Sequence, residues 1–295
     1  MKTPIFILSM FVIGMVTNGC NSKKENFKQG KSVSQEELFL GQKPPGLIPE
    51  LFAPGMVSTN HLEIEAAVSP NMKEFYFIRQ KKGERTKSHL TQYKNGKWED
   101  SEDGRHSSGE VFISTDNNRM YLGNTYKERT KDGWTAEKSV GEMFDKFPIM
   151  RLTASSSNTF FFDERDSIGT IRYAKLVDGK RETPKALGKQ INSGIYTAHP
   201  FIAPDESYLI WDSEREGGYG GSDLYISFRL DDGSWGPAIN MGKAINTEVD
   251  DIYGSITSNG KFFFFNSVFL GDSFEESNAN IYWVDAKVIE TLRPK

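Results

Sequence analysis

Ser69-Pro70-Asn71-Met72-Lys73-Glu74-Phe75-Tyr76-Phe77 couples a tight turn to an aromatic run, and the chain uses that combination five times. The pattern returns at residues 114–122, 154–162, 203–211 and 257–265, at spacings of 45, 40, 49 and 54 residues. The turn position holds Asn71, Asp116, Ser156, Asp205 and Asn259. These side chains bond the local backbone or tolerate left-handed conformations, so they favour turns. Phe75-Tyr76-Phe77, Met120-Tyr121-Leu122, Phe160-Phe161-Phe162, Leu209-Ile210-Trp211 and Phe263-Phe264-Phe265 follow as continuous apolar runs. Such runs suit strands buried on both faces.

Hairpin signals lie downstream of four of these runs. Asn95-Gly96, Asp132-Gly133, Asp178-Gly179 and Asp232-Gly233 supply the positive φ angles that two-residue hairpins need. Gly188-Lys189-Gln190-Ile191-Asn192 and Gly242-Lys243-Ala244-Ile245-Asn246 share four of five residues. Each unit therefore holds about four strands in 40–54 residues, the size of one propeller blade. The last unit stops without a fourth strand. Residues 48–55, Ile-Pro-Glu-Leu-Phe-Ala-Pro-Gly, resemble residues 235–242 ahead of the fifth repeat. The expected fold is all-β: a five-bladed β-propeller over residues 47–295, closed by an N-terminal strand that completes the final blade. A six-bladed ring with one unsigned repeat is the alternative.

At these residues the chain resembles the WD40-like (PD40) repeats of the TolB propeller type. Residues 69–77 match their Ser-Pro-Asp-Gly-Lys core, and Arg215-Glu216-Gly217-Gly218-Tyr219-Gly220-Gly221-Ser222-Asp223-Leu224-Tyr225 is similar to loops of lipoproteins in this family. The resemblance implies a periplasmic or surface propeller that binds partners. TolB also carries an N-terminal α/β domain, for which the stretch ahead of residue 47 is too short.

Lys2 followed by the mainly apolar residues 5–16 reads as a signal peptide over residues 1–19, too short for a membrane-spanning helix. Cys20, the only cysteine, follows Gly19 and resembles the acylated cysteine of bacterial lipoproteins, with Thr17 where that family prefers an aliphatic residue. An ordinary secretory signal with an incidental cysteine is the other reading. Residues 20–46 read as a flexible tether, with a short helical turn over 34–40. The expected location is the cell envelope, with lipid attached at Cys20 and the outer membrane as its anchor.

Hydrophobic residues make up 37% of the 295, charged residues 26% and aromatics 13%, a soluble β-rich balance. The formal charge of −4, without a long basic run, argues against nucleic-acid binding. No nucleophile elbow, phosphate loop, zinc pair or EF-hand motif is present, and His61, His89, His106 and His199 lack ligand spacing. No catalytic residue, metal or cofactor is therefore assigned.

The residue four before each repeat start is Glu65, Glu110, Met150, His199 or Tyr253, with Arg151 one step later. On innermost strands these would converge at the channel rim, giving Glu65, Glu110, Arg151, His199 and Tyr253 as a candidate site for a small polar ligand or sugar. The leading expectation is a non-enzymatic, monomeric binding or scaffold module whose partner is an envelope protein or a glycan. A glycan-active hydrolase with acids at Glu65 and Glu110 is one alternative. An accessory subunit of an envelope complex is another. The glycines of residues 217–221 are expected to serve a sharp turn rather than an anion, and Trp98, Trp134 and Trp235 to pack between blades.

Overall fold

The computed structural model describes residues 39–104 and 109–295. The signal peptide, Cys20, most of the tether and of the helical turn, and His106 lie outside the described residues.

The described chain is nearly all β, laid out as five successive antiparallel meanders in a propeller-like fold. After a two-residue strand β1 (Glu50–Leu51), the first meander is β2 (Leu62–Val68), β3 (Glu74–Gln80), β4 (Lys87–Lys94) and β5 (Lys97–Glu102). The second contains β6 (Val111–Ile113), β7 (Arg119–Leu122) and β8 (Thr125–Thr130), edged by β9 (Gly133–Trp134) and β10 (Lys138–Ser139). The third runs β11 (Ile149–Ala154), β12 (Phe160–Glu164) and β13 (Arg172–Ala174). A small hairpin of β14 (Leu176–Val177) and β15 (Lys180–Arg181) then precedes its edge strand β16 (Lys185–Ala186). The fourth is β17 (Ile195–Ile202), β18 (Tyr208–Glu214), β19 (Asp223–Phe228) and β20 (Ile239–Asn240). The fifth is β21 (Asp250–Ile256), β22 (Phe262–Phe269) and β23 (Asn278–Asp285), followed by the short helix α1 (Lys287–Thr291).

The first strands of the meanders touch in sequence: β2 against β6, β6 against β11, β11 against β17, β17 against β21, and β21 against β2. β1 pairs antiparallel with β23, Glu50 opposite Trp283 and Leu51 opposite Tyr282, so the N-terminal stretch is the outer strand of the fifth meander. Its alignment with residues 235–242 shifts by two. Phe52 N donates to Ile281 O as Met241 N donates to Leu224 O, and Ala53, at φ 44°, stands where Gly242 stands at φ 78°.

The turn chemistry is as the repeat demands. Asn71, Asp116 and Asn259 each accept from the hydroxyl two residues earlier and the amide two residues later. Three residues after each turn start the backbone is left-handed, at Met72, Asn117, Asn158, Glu206 and Gly260. The third repeat is the exception to the expected spacing. Its turn begins at Ser155 rather than Ala154 and closes one residue sooner, on Thr159, so Ser157 rather than Ser156 takes the turn position.

The aromatic second strands form the core. Phe77, Phe162, Trp211 and Phe263 are fully buried, and Leu122 nearly so. Trp134 and Trp235 do bridge meanders: Trp134 donates to Tyr76 Oη at 3.0 Å, and Trp235 meets Phe161 edge-on. Trp98 instead packs on Tyr93 within its own meander.

Candidate functional site

Backbone register brings the five expected site residues to equivalent places. Ala67, Phe112, Thr153, Phe201 and Ser255 each face the middle aromatic or aliphatic residue of the next strand. Two residues before them stand Glu65, Glu110, Arg151, His199 and Tyr253. Arg151, not Met150, is thus the third meander's member. In four meanders pairing slips at this point, across Ile64/Ala67, Ile149/Leu152, Ala198/Phe201 and Ile252/Ser255. A bulge re-aims a side chain and bends its strand. Glu65, His199 and Tyr253 accordingly adopt left-handed backbone, at φ 67°, 50° and 59°, a conformation costly for residues with side chains.

What over-determines that conformation is a set of polar latches on the preceding meander. Asp163 Oδ2 accepts from His199 N at 2.9 Å, Asp212 Oδ1 from Tyr253 N at 3.0 Å, and Asn266 Oδ1 from Glu65 N at 3.1 Å. Asp163, Asp212 and Asn266 occupy one position on β12, β18 and β22. Ile78 and Gly123 hold it in the first two meanders. At Gly123 there is no room for a side chain, because a Cβ would lie 2.6 Å from Ile149 O. The latches were not singled out in the sequence. Their signal was an Asp or Asn immediately after three of the apolar runs.

The side chains form one polar cluster in which Glu110, Arg151, His199 and Tyr253 are buried and Glu65 is half-buried. His199 Nδ1 sits 2.8 and 2.9 Å from the two Asp212 oxygens, and Nε2 sits 3.2 Å from Glu110 Oε1. The Tyr253 ring lies 3.9 Å, centroid to centroid, from the imidazole. Burial opposes a charge on His199, but the negative charges and hydrogen bonds of Asp212 and Glu110 outweigh it and hold the imidazole well above its usual range. Burial pushes Asp163 up to about 6, a rise that the His199 charge moderates. Burial and the charges of Glu110, Glu65 and Asp212 keep the Tyr253 phenol protonated. Two buried atoms in this cluster, Glu110 Oε2 and Arg151 Nε, have no hydrogen-bond partner. Beneath it the inner strands enclose a narrow cavity of about 30 Å³ lined by Ala66, Val111, Phe112, Arg151, Phe201 and Ser255. That is room for one or two waters.

Among the described residues no three His, Cys, Asp or Glu side chains are arranged to hold a metal ion. No described helix is long and apolar enough to cross a membrane. The glycine-rich loop is structural where it can be measured: a Cβ at Gly220 would lie 2.4 Å from Val249 O, so only glycine lets the loop lie on that segment.

No protein-family model and no curated protein matches the chain. Its structure is similar to that of TolB from Acinetobacter baumannii, at 11% identity and a TM-score of 0.44, over 77% of this chain and 57% of that one. The chain thus spans little more than half the length of that protein. It is also similar to a gluconolactonase from Xanthomonas campestris (9% identity, 81% of this chain, 85% of that chain, TM-score 0.47). An α-L-arabinofuranosidase from Lactobacillus brevis is similar too (9% identity, 77% and 91%, TM-score 0.45). At this level of likeness no activity carries over from any of them.

Proposed function

We propose that the protein is a five-bladed propeller of the WD40-like (PD40) type, exported and lipid-anchored at Cys20 in the cell envelope, that binds a small polar ligand at one end of its channel. The cyclic contact of the five first strands and the β1–β23 pairing support the ring and its blade number. The observation that carries the ligand site is the pair of unpartnered buried atoms, Glu110 Oε2 and Arg151 Nε, within a cluster contributed by all five meanders. An acceptor and a donor left open in one cluster suit a single hydroxyl of a ligand seated at the channel end, such as a sugar, because a hydroxyl can donate to one and accept from the other.

Binding is favoured over catalysis by the state of His199. A useful acid–base group titrates near working pH. Here the imidazole is clamped between two carboxylates that hold it well above its usual range. Thermal-shift and calorimetric titration with a panel of mono- and oligosaccharides tests the site. Saturable stabilisation by one sugar, lost in Glu110→Gln and Arg151→Met, is the expected result. No response to any sugar, or release of reducing sugar abolished by Glu110→Gln, rejects the reading, the second result in favour of a hydrolase. Labelling with a fatty-acid analogue, absent in Cys20→Ala, tests the anchor.

An accessory role in an envelope complex has its own support. Ile195 and Tyr196, at the start of β17, and Phe269, at the end of β22, are exposed apolar residues at the same end of their meanders. Exposed apolar residues on one face are the kind of surface that a protein partner covers.

A further inference from the structure

The junction of the fourth and fifth meanders buries two carboxylates. Asp223 opens β19, Asp251 is second in β21, and both are 0% exposed. Asp223 Oδ2 accepts from Tyr219 N at 2.8 Å and Asn240 Nδ2 at 2.6 Å. Asp251 Oδ2 accepts from Thr247 N at 2.5 Å and Thr247 Oγ1 at 2.8 Å. The other oxygen of each, Asp223 Oδ1 and Asp251 Oδ1, is buried without a hydrogen-bond partner. The two groups meet at one junction: Asp251 N donates to the carbonyl of Ser222, the residue before Asp223, at 2.7 Å.

Equivalent positions in other meanders show what is unusual here. In the first meander the counterpart of Asp251 is Glu63, capped in the same way by Thr59 N and Oγ1 at 3.1 and 2.5 Å. There Arg79, directly opposite on β3, meets the charge through Nε at 2.8 Å. In the fourth meander the counterpart is the neutral Thr197, bonded to Ser213 at 2.9 Å. The fifth meander keeps the carboxylate but places the neutral hydroxyl of Ser267, which stabilises it without a counter-charge, where the first has its arginine. On the neighbouring strand, Asp223 corresponds to Asn280 at the next junction. Among the described residues no Lys, Arg or His pairs with Asp223 or Asp251. The glycine-rich loop closes over the place, since a Cβ at Gly218 would lie 2.7 Å from Asp223 Oδ2. It is pinned there by Ser222 N donating to Asp250 Oδ1 at 2.7 Å.

Buried charge requires a counter-charge. We propose that a Ca²⁺ ion sits between Asp223 Oδ1 and Asp251 Oδ1 and ties the fourth meander to the fifth, taking the place that the Arg79 side chain fills beside Glu63. Calcium takes six to eight oxygens, many of them carbonyls or water, so two carboxylates suffice as its charged ligands.

The test is a titration of the full-length protein, stripped with EDTA, with CaCl₂ up to about 10 mM. That range covers extracellular calcium modules, which bind at about 10⁻⁴–10⁻³ M. The thermal midpoint is expected to rise by several degrees, with one calcium per chain by calorimetry and one TbCl₃ site by luminescence. Asp223→Asn and Asp251→Asn each abolish the response. In EDTA neither variant melts below wild type, because each relieves the repulsion between two facing carboxylates. A wild-type midpoint equal in CaCl₂ and EDTA, with no heat of binding, overturns the proposal. A calcium response retained in both variants overturns it as well.

Discussion

Asp163 accepts three backbone amides, Met150 N at 3.2 Å and Arg151 N at 2.8 Å from its own meander and His199 N at 2.9 Å from the next. A buried amide without a partner costs about 1–3 kcal/mol, so Asp163→Ala should destabilise by at least about 3 kcal/mol in chemical denaturation, and Asp163→Asn, which keeps an acceptor, by less. The charge itself works the other way. Asp163 titrates at about 6 when folded against 3.8 for a free aspartate, and His199 is raised above 6.5. A group raised by folding contributes stability that is complete below its unfolded pKa and is lost as pH climbs through the folded one. The melting temperature should therefore fall from about pH 4 to 6 through Asp163, and again above pH 6.5 through His199. His199→Gln should flatten the second decline and, by removing the charge that moderates the Asp163 rise, carry the first to higher pH. A wild type that gains stability between pH 6.5 and 8 would contradict the charged imidazole assigned to the Asp212–His199–Glu110 chain.

Between elements, the first two meanders are joined by a fork of hydrogen bonds. Arg129 on β8 reaches Glu74 on β3 with Nη1 to Oε1 at 2.7 Å and Nη2 to Oε2 at 2.8 Å, and its guanidinium stacks 3.8 Å from the Trp134 ring. Within the fourth meander Arg229 pairs with Glu206 and stacks on Trp235 in a similar way, and Glu206 in turn accepts from Ser155 and Ser157 of the third. Glu74 is buried, and breaking a buried pair by removing one partner costs about 3–5 kcal/mol. Arg129→Ala should approach that loss. Arg129→Lys should recover little, because an ammonium offers neither the fork nor the planar stack. Urea melts of the two variants decide this. These pairs were hidden in the sequence because Glu74 and Arg129 lie 55 positions apart, with no local period to link them. The elements themselves were legible: turn former plus aromatic run marks every second strand, and Asn95-Gly96 and Asp178-Gly179 sit at hairpin tips with positive φ. The candidate site was legible as a set because bulges recur at one offset from the turn. Register within the third meander was not. There a turn one residue shorter conceals that Arg151, not Met150, is in phase, and hydrophobic pattern cannot resolve a one-residue slip before the strand is paired.

For the whole molecule the decisive question is how the last meander meets the first. β1 is two residues long, so its ladder alone holds little. The closure rests on Phe52 just beyond it, which is 2% exposed and meets Trp283 and Phe264 of the fifth meander and Phe75 of the first. One ring thus packs against both sides of the seam. Phe→Ala in a core costs about 3–5 kcal/mol. A loss at this seam should also expose the edge of β23, and exposed edges pair with other chains. Phe52→Ala should therefore lower the melting temperature and promote concentration-dependent association, measurable by light scattering. Phe162→Ala, of similar size but within a core fully inside the ring, should lower the melting temperature without that association below the transition. If the two variants behave alike in scattering, the N-terminal strand is ordinary core rather than the clasp of a closed ring.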